Sequence, residues 1–456
     1  MRKVLVLGGG IAGLAAAWRA SRDADVELLE SASAPGGNIA TERPDGLLLE
    51  RGPDCFLAIK PAGIQLCREL GLEPRIIGTV PENRRSMVVH RGRLYPLPEG
   101  FYMMAPGSLK ALAISGLFSW CGKARMAMDL VIPRRRDGGD ESLGSFVRRR
   151  LGRQALERLA QPMIAGITTA DPEKLSMAAA MPQFPEMERE HGSIIRALSR
   201  RKTAPGTSGP RYGMFASLDG GMQVLTDALA ERLGPRVHTG VRATGLARRN
   251  DRWVVSTDKA GDFAACQLIV ALPAPAAAPL LRPHHAALAS LLAEIPFASV
   301  ATAHLAWKEA DAPLPQAMGF VVPEVEKRLI VACSFTSRKF PGRAPAGISL
   351  VRVFAGGATR PMDASLPDAE FLARIRADLE DLMGIAAEPV HARVHRHTGA
   401  MPQYYVGHLD RVATIEKLAA TLPELSLCGA SYRGVGVPDC IAGAWEAAAR
   451  VLPPAT

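Results

Sequence analysis

Val4-Leu-Val-Leu-Gly8-Gly9-Gly10-Ile11-Ala12-Gly13-Leu-Ala-Ala-Ala17 lies almost at the start of the chain. Four apolar residues, Val4 to Leu7, suit a strand buried in a parallel sheet. They run straight into Gly8-x-Gly10-x-x-Gly13 and then into an alanine-rich stretch of high helix propensity. Strand, glycine turn and helix together are what a dinucleotide fingerprint requires. Gly8 permits the tight turn, Gly10 lets backbone approach a pyrophosphate, and Gly13 lets the helix pack closely on the strand. The free N–H groups and positive dipole end of the helix would hold that pyrophosphate. The competing reading, an ordinary βαβ turn with chance glycines, is weakened by the next apolar run. Val26 to Leu29 reads as a second strand and ends on Glu30, near the roughly 20-residue offset at which an acid meets a ribose hydroxyl.

The chain has 456 residues, too many for one compact core, so two or three domains are expected. Hydrophobic residues make up 48% and charged residues 22%, as in a soluble enzyme. The net charge of +10 raises the question of nucleic acid. The arginines, however, fall in short scattered groups (Arg134 to Arg136, Arg148 to Arg150, Arg200 to Lys202), and aromatics are 5%. Stacking platforms are therefore not expected, and acidic small molecules or anionic lipid fit the charge better. Seven widely spaced cysteines, with no C-x-x-C, argue against disulfides or zinc and for a reducing cytoplasm. No signal peptide is expected ahead of a fingerprint that begins at residue 4. The longest apolar stretch, Ala111 to Cys121, falls short of the ~20 residues a membrane span needs.

Residues 1 to about 80 read as the opening βαβ unit and its continuation. From about 100 to 205 the pattern turns helical, with Leu143 to Leu159 read as one amphipathic helix rich in arginine. Arg201 to Tyr212, full of Pro, Gly, Ser and Thr, reads as a loop or boundary. Beyond it come a helix ending at Leu233, a strand at Trp253 to Thr257 and a buried strand from Leu268. Ser299 to Trp307 and Leu329 to Phe354 suggest a mixed sheet. Leu425 to Val451 then repeats the plan of the opening: strand, glycine loop, helix. A nucleotide domain assembled from the beginning, middle and end of a chain is a flavoprotein plan more than a dehydrogenase plan.

Several segments carry a resemblance over nearly the whole chain. They are Glu50-Arg51-Gly52-Pro53-Asp54-Cys55-Phe56-Leu57 with Lys60-Pro61, Gln161 to Ser176 and Met181 to Phe184. Lys339-Phe340-Pro341-Gly342-Arg343, Met401-Pro402-Gln403-Tyr404 with Gly407-His408, and above all Gly429 to Ile441 complete the set. Together these resemble the flavin-dependent porphyrinogen oxidases of haem synthesis, within the monoamine-oxidase-like flavoproteins. The resemblance implies an α/β fold: a discontinuous Rossmann-like FAD-binding domain (1–82, 212–282 and 405–456), a mixed-sheet substrate domain (83–99 and 283–404) and a mainly helical insertion (100–211). It implies FAD as cofactor. Gly8, Gly9, Gly10, Ile11, Ala12 and Gly13 would hold the pyrophosphate and Glu30 the adenosine ribose, with Gly37 and Asn38 behind it. Gly52, Pro53, Asp54 and Cys55 would line the isoalloxazine side, Ala243 would lie near the adenine, and Gly434, Val435 and Gly436 would approach the ring. Cys55 stands where the family usually has serine, and Ala243 where valine is common; both are small and compatible.

The implied reaction is the oxygen-dependent six-electron oxidation of a porphyrinogen to a porphyrin, by hydride transfer to FAD with release of hydrogen peroxide. The macrocycle's approach to aromaticity drives it, so no strong base and no catalytic side chain is expected. The protein's work is to orient the ring, anchor its carboxylates and exclude water. The charge and the Gly52 to Pro61 segment favour coproporphyrinogen III to coproporphyrin III; protoporphyrinogen IX is the alternative, and an amine oxidase or carotenoid desaturase a more distant one. For a propionate anchor, Arg85 is the choice and Arg84 the alternative, ahead of Gly92-Arg93-Leu94-Tyr95-Pro96-Leu97-Pro98; two solvated loop arginines is the plain reading. His391, His395 and His397 read as strand residues, so no metal is expected, and Met103-Met104 and Met126 to Met128 read as core, with an apolar substrate wall as the alternative. Peripheral contact with anionic membrane is expected through Phe101 to Trp120 and Arg134 to Arg136. The partners are thus porphyrinogen, dioxygen and downstream haem-pathway enzymes, with no nucleic acid.

Overall fold

The computed structural model describes residues 2–135, 138–200 and 215–452. Arg136, Arg201, Lys202 and the boundary read at Arg201 to Tyr212 lie outside the described residues. The first strand, β1 (Lys3–Leu7), feeds helix α1 (Ile11–Ala20), which returns to β2 (Asp25–Glu30) in register with β1 from Lys3↔Asp25 to Leu7↔Leu29. Val4 to Leu7 are buried, as strands covered on both faces must be. The full sheet is parallel, with strands ordered Val237–Thr239, β2, β1, Gln267–Val270, Leu425–Leu427. Beginning, middle and end of the chain therefore meet in one sheet. The C-terminal helix Val437–Val451 packs beside α1, burying Ile441, Ala444 and Ala447 against Ala16 and Leu14. On the opposite face an antiparallel meander (Ala243–Arg249, Arg252–Thr257, Asp262–Ala265) sets Trp253 and Val255 among Leu5, Leu7 and Leu268.

A second sheet has seven strands in the order His391–Pro402, Phe297–Lys308, Ile348–Gly356, Ala332–Ser334, Gly319–Val321, Met87–His90, Arg93–Pro96. Its pairs are antiparallel except Gly319–Val321 with Met87–His90, so it is mixed. Its core gathers Leu305, Trp307, Val351, Phe335 and Phe371. The helical region between the two parts of this sheet's sequence has a core of its own, with Phe146, Leu159, Met163 and Phe184, and with Met104 and Met126 buried among them, whereas Met128, read as core, is exposed. Thus the chain is α/β, with a discontinuous Rossmann-like sheet and a mixed second sheet.

Leu143 to Leu159 is not one helix. Leu143–Arg150 stops at Gly152, whose φ is +90°, and a short turn at Arg153–Ala155 then opens into a π-helical turn at Leu156–Ala160. A Cβ on Gly152 would sit 2.5 Å from Cγ of Arg125, whose guanidinium donates to the carbonyls of Arg148, Arg149 and Arg150. The arginine run is consumed internally. Arg148 pairs with Glu173 and Arg149 with Glu141 and Glu188, while fully buried Arg150 pairs with Asp129. These three cations therefore contribute little to any surface attraction for anions.

Candidate active site

The turn from β1 to α1 is built by its glycines. Gly8 has φ +101°, and a Cβ on Gly13 would lie 1.8 Å from the Gly8 carbonyl oxygen, so any other residue would push helix from strand. Gly10 caps α1 with no side-chain hydrogen bond, leaving the first-turn amides of Ile11, Ala12 and Gly13 without a side-chain acceptor. A Cβ on Gly10 meets nothing within 4 Å. This is an open cradle of backbone donors at a positive helix end, suited to a diphosphate.

Glu30 ends β2 beside it. One carboxylate oxygen accepts from Gly9 N at 2.6 Å and the other from Ala32 N at 2.6 Å. Gly36 N donates to the Gly9 carbonyl at 2.8 Å, and a Cβ on Gly37 would come 3.1 Å from Cα of Gly10. Gly52 in turn lies under Asn38, its own Cβ position 1.8 Å from the Asn38 carbonyl oxygen. Val241 N donates to the Glu30 carbonyl at 2.9 Å, which brings Ala243, at the start of its strand, to the Glu30 end of the cradle. The residues expected at the pyrophosphate, ribose and adenine thus converge at the C-terminal ends of β1 and β2.

The segments expected around the isoalloxazine also meet. Lys60 Nζ binds both carboxylate oxygens of Asp439 at 2.6 and 2.7 Å, linking the Gly52 to Leu57 segment to the start of the C-terminal helix. Gly434 lies against Asp439, and Gly436 caps that helix, with the Asp439 carboxylate 2.8 Å from its Cβ position and Pro438 in the first turn. Tyr404 braces the loop between: its hydroxyl donates to the Ala430 carbonyl at 2.6 Å and accepts from Gly434 N at 2.9 Å. His408 stacks on Tyr404 with centroids 4.0 Å apart. Val435 packs against the helical core.

Beneath Asp54 and Cys55 lies a charged cluster that the sequence did not single out by role. Lys339 Nζ lies 2.7 Å from Asp54 Oδ2 and 3.5 Å from Cys55 Sγ, with side-chain exposures of 13% for Lys339 and 18% for Asp54. Burial alone would raise the Asp54 carboxyl, but the Lys339 ammonium holds it well below the usual carboxylate range. Burial would lower Lys339, and Asp54 outweighs it, raising the ammonium above its ordinary value. Burial, with Asp54 beside it, pushes the Cys55 thiol up to about 12, so it stays neutral. Buried Arg352 donates to the carbonyls of Gly52 (2.6 Å) and Arg51 (2.8 Å), fixing that segment from the second sheet. A lone arginine inside apolar Ile348-Ser-Leu-Val-Arg-Val-Phe354 was the available signal for Arg352. For Lys339 it was a cation adjoining Phe340-Pro341-Gly342.

Arg84 and Arg85 fall in a loop tied to the same place: Val80 N donates to the Lys339 carbonyl at 3.0 Å and Asn83 Nδ2 to the Arg338 carbonyl at 2.9 Å. Arg84 turns inward to Thr79, while Arg85 is exposed and its guanidinium carries no hydrogen bond or ion pair among the described residues. No hydrogen bond joins Arg85 to Asp54 or to Gly434–Gly436. His395 Nε2 meets Glu42 at 3.0 Å and His304 meets its ring edge-on, both inside the second sheet.

The family model for flavin-containing amine oxidoreductases matches residues 11–452. The chain belongs to that family and is a flavin-dependent oxidoreductase, with FAD as its cofactor. It is 35% identical to the coproporphyrinogen III oxidase of Bacillus subtilis (strain 168), over 96% of each chain. It is also 31% identical to the protoporphyrinogen oxidase of Homo sapiens, over 99% of this chain and 98% of that one. A crystal structure from Exiguobacterium sp. 255-15, assigned as a protoporphyrinogen oxidase, superposes with a TM-score of 0.88 at 30% identity, covering 99% and 98% of the two chains. The glycine cradle fits FAD: the uncapped start of α1 and the unfilled Cβ position at Gly10 leave room and donors for a dinucleotide.

Proposed function

We propose that this protein oxidises coproporphyrinogen III to coproporphyrin III in haem synthesis, with dioxygen as acceptor and hydrogen peroxide as product. The observation that carries this reading is the correspondence over 96% of both chains with a relative of that name. FAD, when bound, supplies the two-electron acceptor for each of the successive oxidations. The chain's own residues do the rest. Ile11, Ala12 and Gly13 offer amides to the pyrophosphate, and Glu30 offers carboxylate oxygens to a ribose. Arg352 and Tyr404 fix the Gly52 and Gly434 segments on which the ring system would rest. Arg85, exposed and unpaired on the loop tied to Lys339, would grip a propionate bidentately. Residues 1–82, 212–282 and 405–456 would act as the cofactor domain, 83–99 and 283–404 as the substrate domain, and 100–211 as the insertion.

No described helix is long and apolar enough to cross a membrane. Lipid contact would therefore be peripheral, through the exposed residues of the insertion. The purified protein should be yellow and should convert coproporphyrinogen III into a fluorescent porphyrin with peroxide, faster than protoporphyrinogen IX. Arg85→Ala should raise KM for the four-propionate substrate more than kcat falls. Oxidation of amines without porphyrinogen turnover would overturn the reading. A loss with Arg84→Ala in place of Arg85→Ala would move the anchor.

A further inference from the structure

We propose that Lys339, Arg343 and Arg352 place surplus buried positive charge behind the Gly52 to Cys55 segment, which favours the reduced, anionic form of bound flavin and raises its reduction potential. The inference rests on the reading that this segment lines the isoalloxazine. Arg343 is 1% exposed and Arg352 5% exposed. The carboxylates facing these three cations are Asp54 and Glu50. Asp54 pairs with Lys339 and Glu50 with Arg343 at 3.8 Å, burial pushing the Glu50 carboxyl up despite its bonds from Met222 N and Thr41 Oγ1. Arg352 has no carboxylate partner among the described residues, so two carboxylates face three cations. Asp219, also near Arg343, is already paired with Arg75 at 2.8 Å.

No other anion among the described residues balances the cluster. His304, opposite Arg352 in the strand ladder, is driven by burial well below its ordinary value and is neutral. Cys55 stays a thiol. Nor is the cationic charge fully satisfied by hydrogen bonds: Nε of Arg343 and Nε of Arg352 are buried without a hydrogen-bond partner, and Nη1 of Arg343 has only its longer ion pair with Glu50 at 3.8 Å. Unbalanced charge in a poorly solvated interior favours a nearby group that gains a negative charge. Hydride uptake delivers two electrons and one proton, and beside this cluster no second proton need be taken up. Lys339 and Arg352 act here as positioning residues for charge, not as groups that exchange protons with substrate.

The test is the midpoint potential of the holoenzyme, equilibrated anaerobically with a reference dye, with the absorbance spectrum of the reduced flavin as second readout. Lys339→Met should weaken binding of reduced relative to oxidised flavin about tenfold, a downward shift of about 30 mV for a two-electron couple. Asp54→Asn, nearly isosteric, should shift the potential upward, the double variant should return near wild type, and Lys339→Arg should hold the wild-type value. Opposite signs distinguish charge from general damage, which would move both single variants the same way. If Lys339→Met does not fold, the sign of Asp54→Asn decides. Flavin that stays bound in these variants with an unmoved potential, or with both shifts of one sign, overturns the proposal. Wild-type protein that binds no flavin overturns the underlying reading instead.

Discussion

At the scale of single residues, Gly10 and Gly13 separate cofactor binding from folding. A methyl group on Gly13 collides with backbone at 1.8 Å, so Gly13→Ala must part α1 from β1. Overpacking of that kind costs about 1–3 kcal/mol, and the variant should lose both stability and flavin. Gly10→Ala meets nothing within 4 Å and has ordinary helix-entry angles. The apoprotein should unfold within about 0.5 kcal/mol of wild type. Flavin affinity, read by fluorescence quenching on titration, should fall at least tenfold because the methyl fills the cradle. Unchanged affinity in Gly10→Ala would place the pyrophosphate elsewhere. The Asp54–Lys339 pair makes a second prediction, in pH. Asp54 is depressed, so its contribution is complete above the unfolded value of about 3.9 and is lost as pH falls below it. Lys339 is raised, so its contribution is complete below about 10.4 and is lost as pH climbs past it. Asp54→Asn should therefore be less stable than wild type at pH 7 by about 3 kcal/mol, and the gap should narrow between about pH 5 and 3. Urea unfolding at several pH values reads this directly; a gap that stays constant down to pH 3 would exclude the ion pair.

At the scale of elements, Gly152 decides where the arginine-rich helix ends. Its φ of +90° is open to glycine and costly for alanine, and the Arg125 side chain occupies the Cβ position. Gly152→Ala should destabilise by about 1–2 kcal/mol, measured by denaturant midpoint at unchanged slope. The periodic apolar pattern from Leu143 to Leu159 hid this break, because periodicity reports which face is buried and not whether the axis continues. Elements whose shape is set locally were legible: β1, α1, β2 and the Leu425 to Val451 tail arise from apolar runs, glycine turns and alanine-rich helices. The parts of the candidate site made by distant pairs were not. Lys339 meets Asp54 across 285 positions and Arg352 meets Gly52 across 300. Nothing in the local chemistry of Ile348 to Phe354 says which carbonyls its arginine will reach. Arg148 to Arg150 mislead in the same way, since their acids lie at Asp129, Glu173 and Glu188 and cancel charge that looks free in the sequence.

At the scale of the whole molecule, the question is what the helical insertion presents outward. Leu109, Ile114, Trp120, Met128 and Val131 are exposed, at 50, 69, 76, 49 and 77%, within one short stretch of chain. Single exposed apolar residues are ordinary, but five along consecutive short helices exceed that, and exposed apolar surface of this extent usually marks an interaction site. Lys110 is exposed beside them, and Lys123 lies over the Trp120 ring at 4.3 Å, an amphipathic tip suited to a headgroup region. The substrate is an apolar macrocycle carrying carboxylates, so a surface that meets lipid would place the protein where such molecules partition. The protein should float with vesicles containing anionic lipid and bind uncharged vesicles more weakly. Each basic side chain near the surface is worth about 1 kcal/mol, so Lys110→Glu with Lys123→Glu should weaken binding by more than tenfold. Trp120→Ser with Ile114→Ser should weaken binding to both vesicle types, and porphyrinogen turnover in detergent-free buffer should be unchanged in both pairs. Flotation that fails with anionic vesicles at low salt would leave the patch for another macromolecule; flotation unaffected by either pair would put the contact elsewhere on the surface.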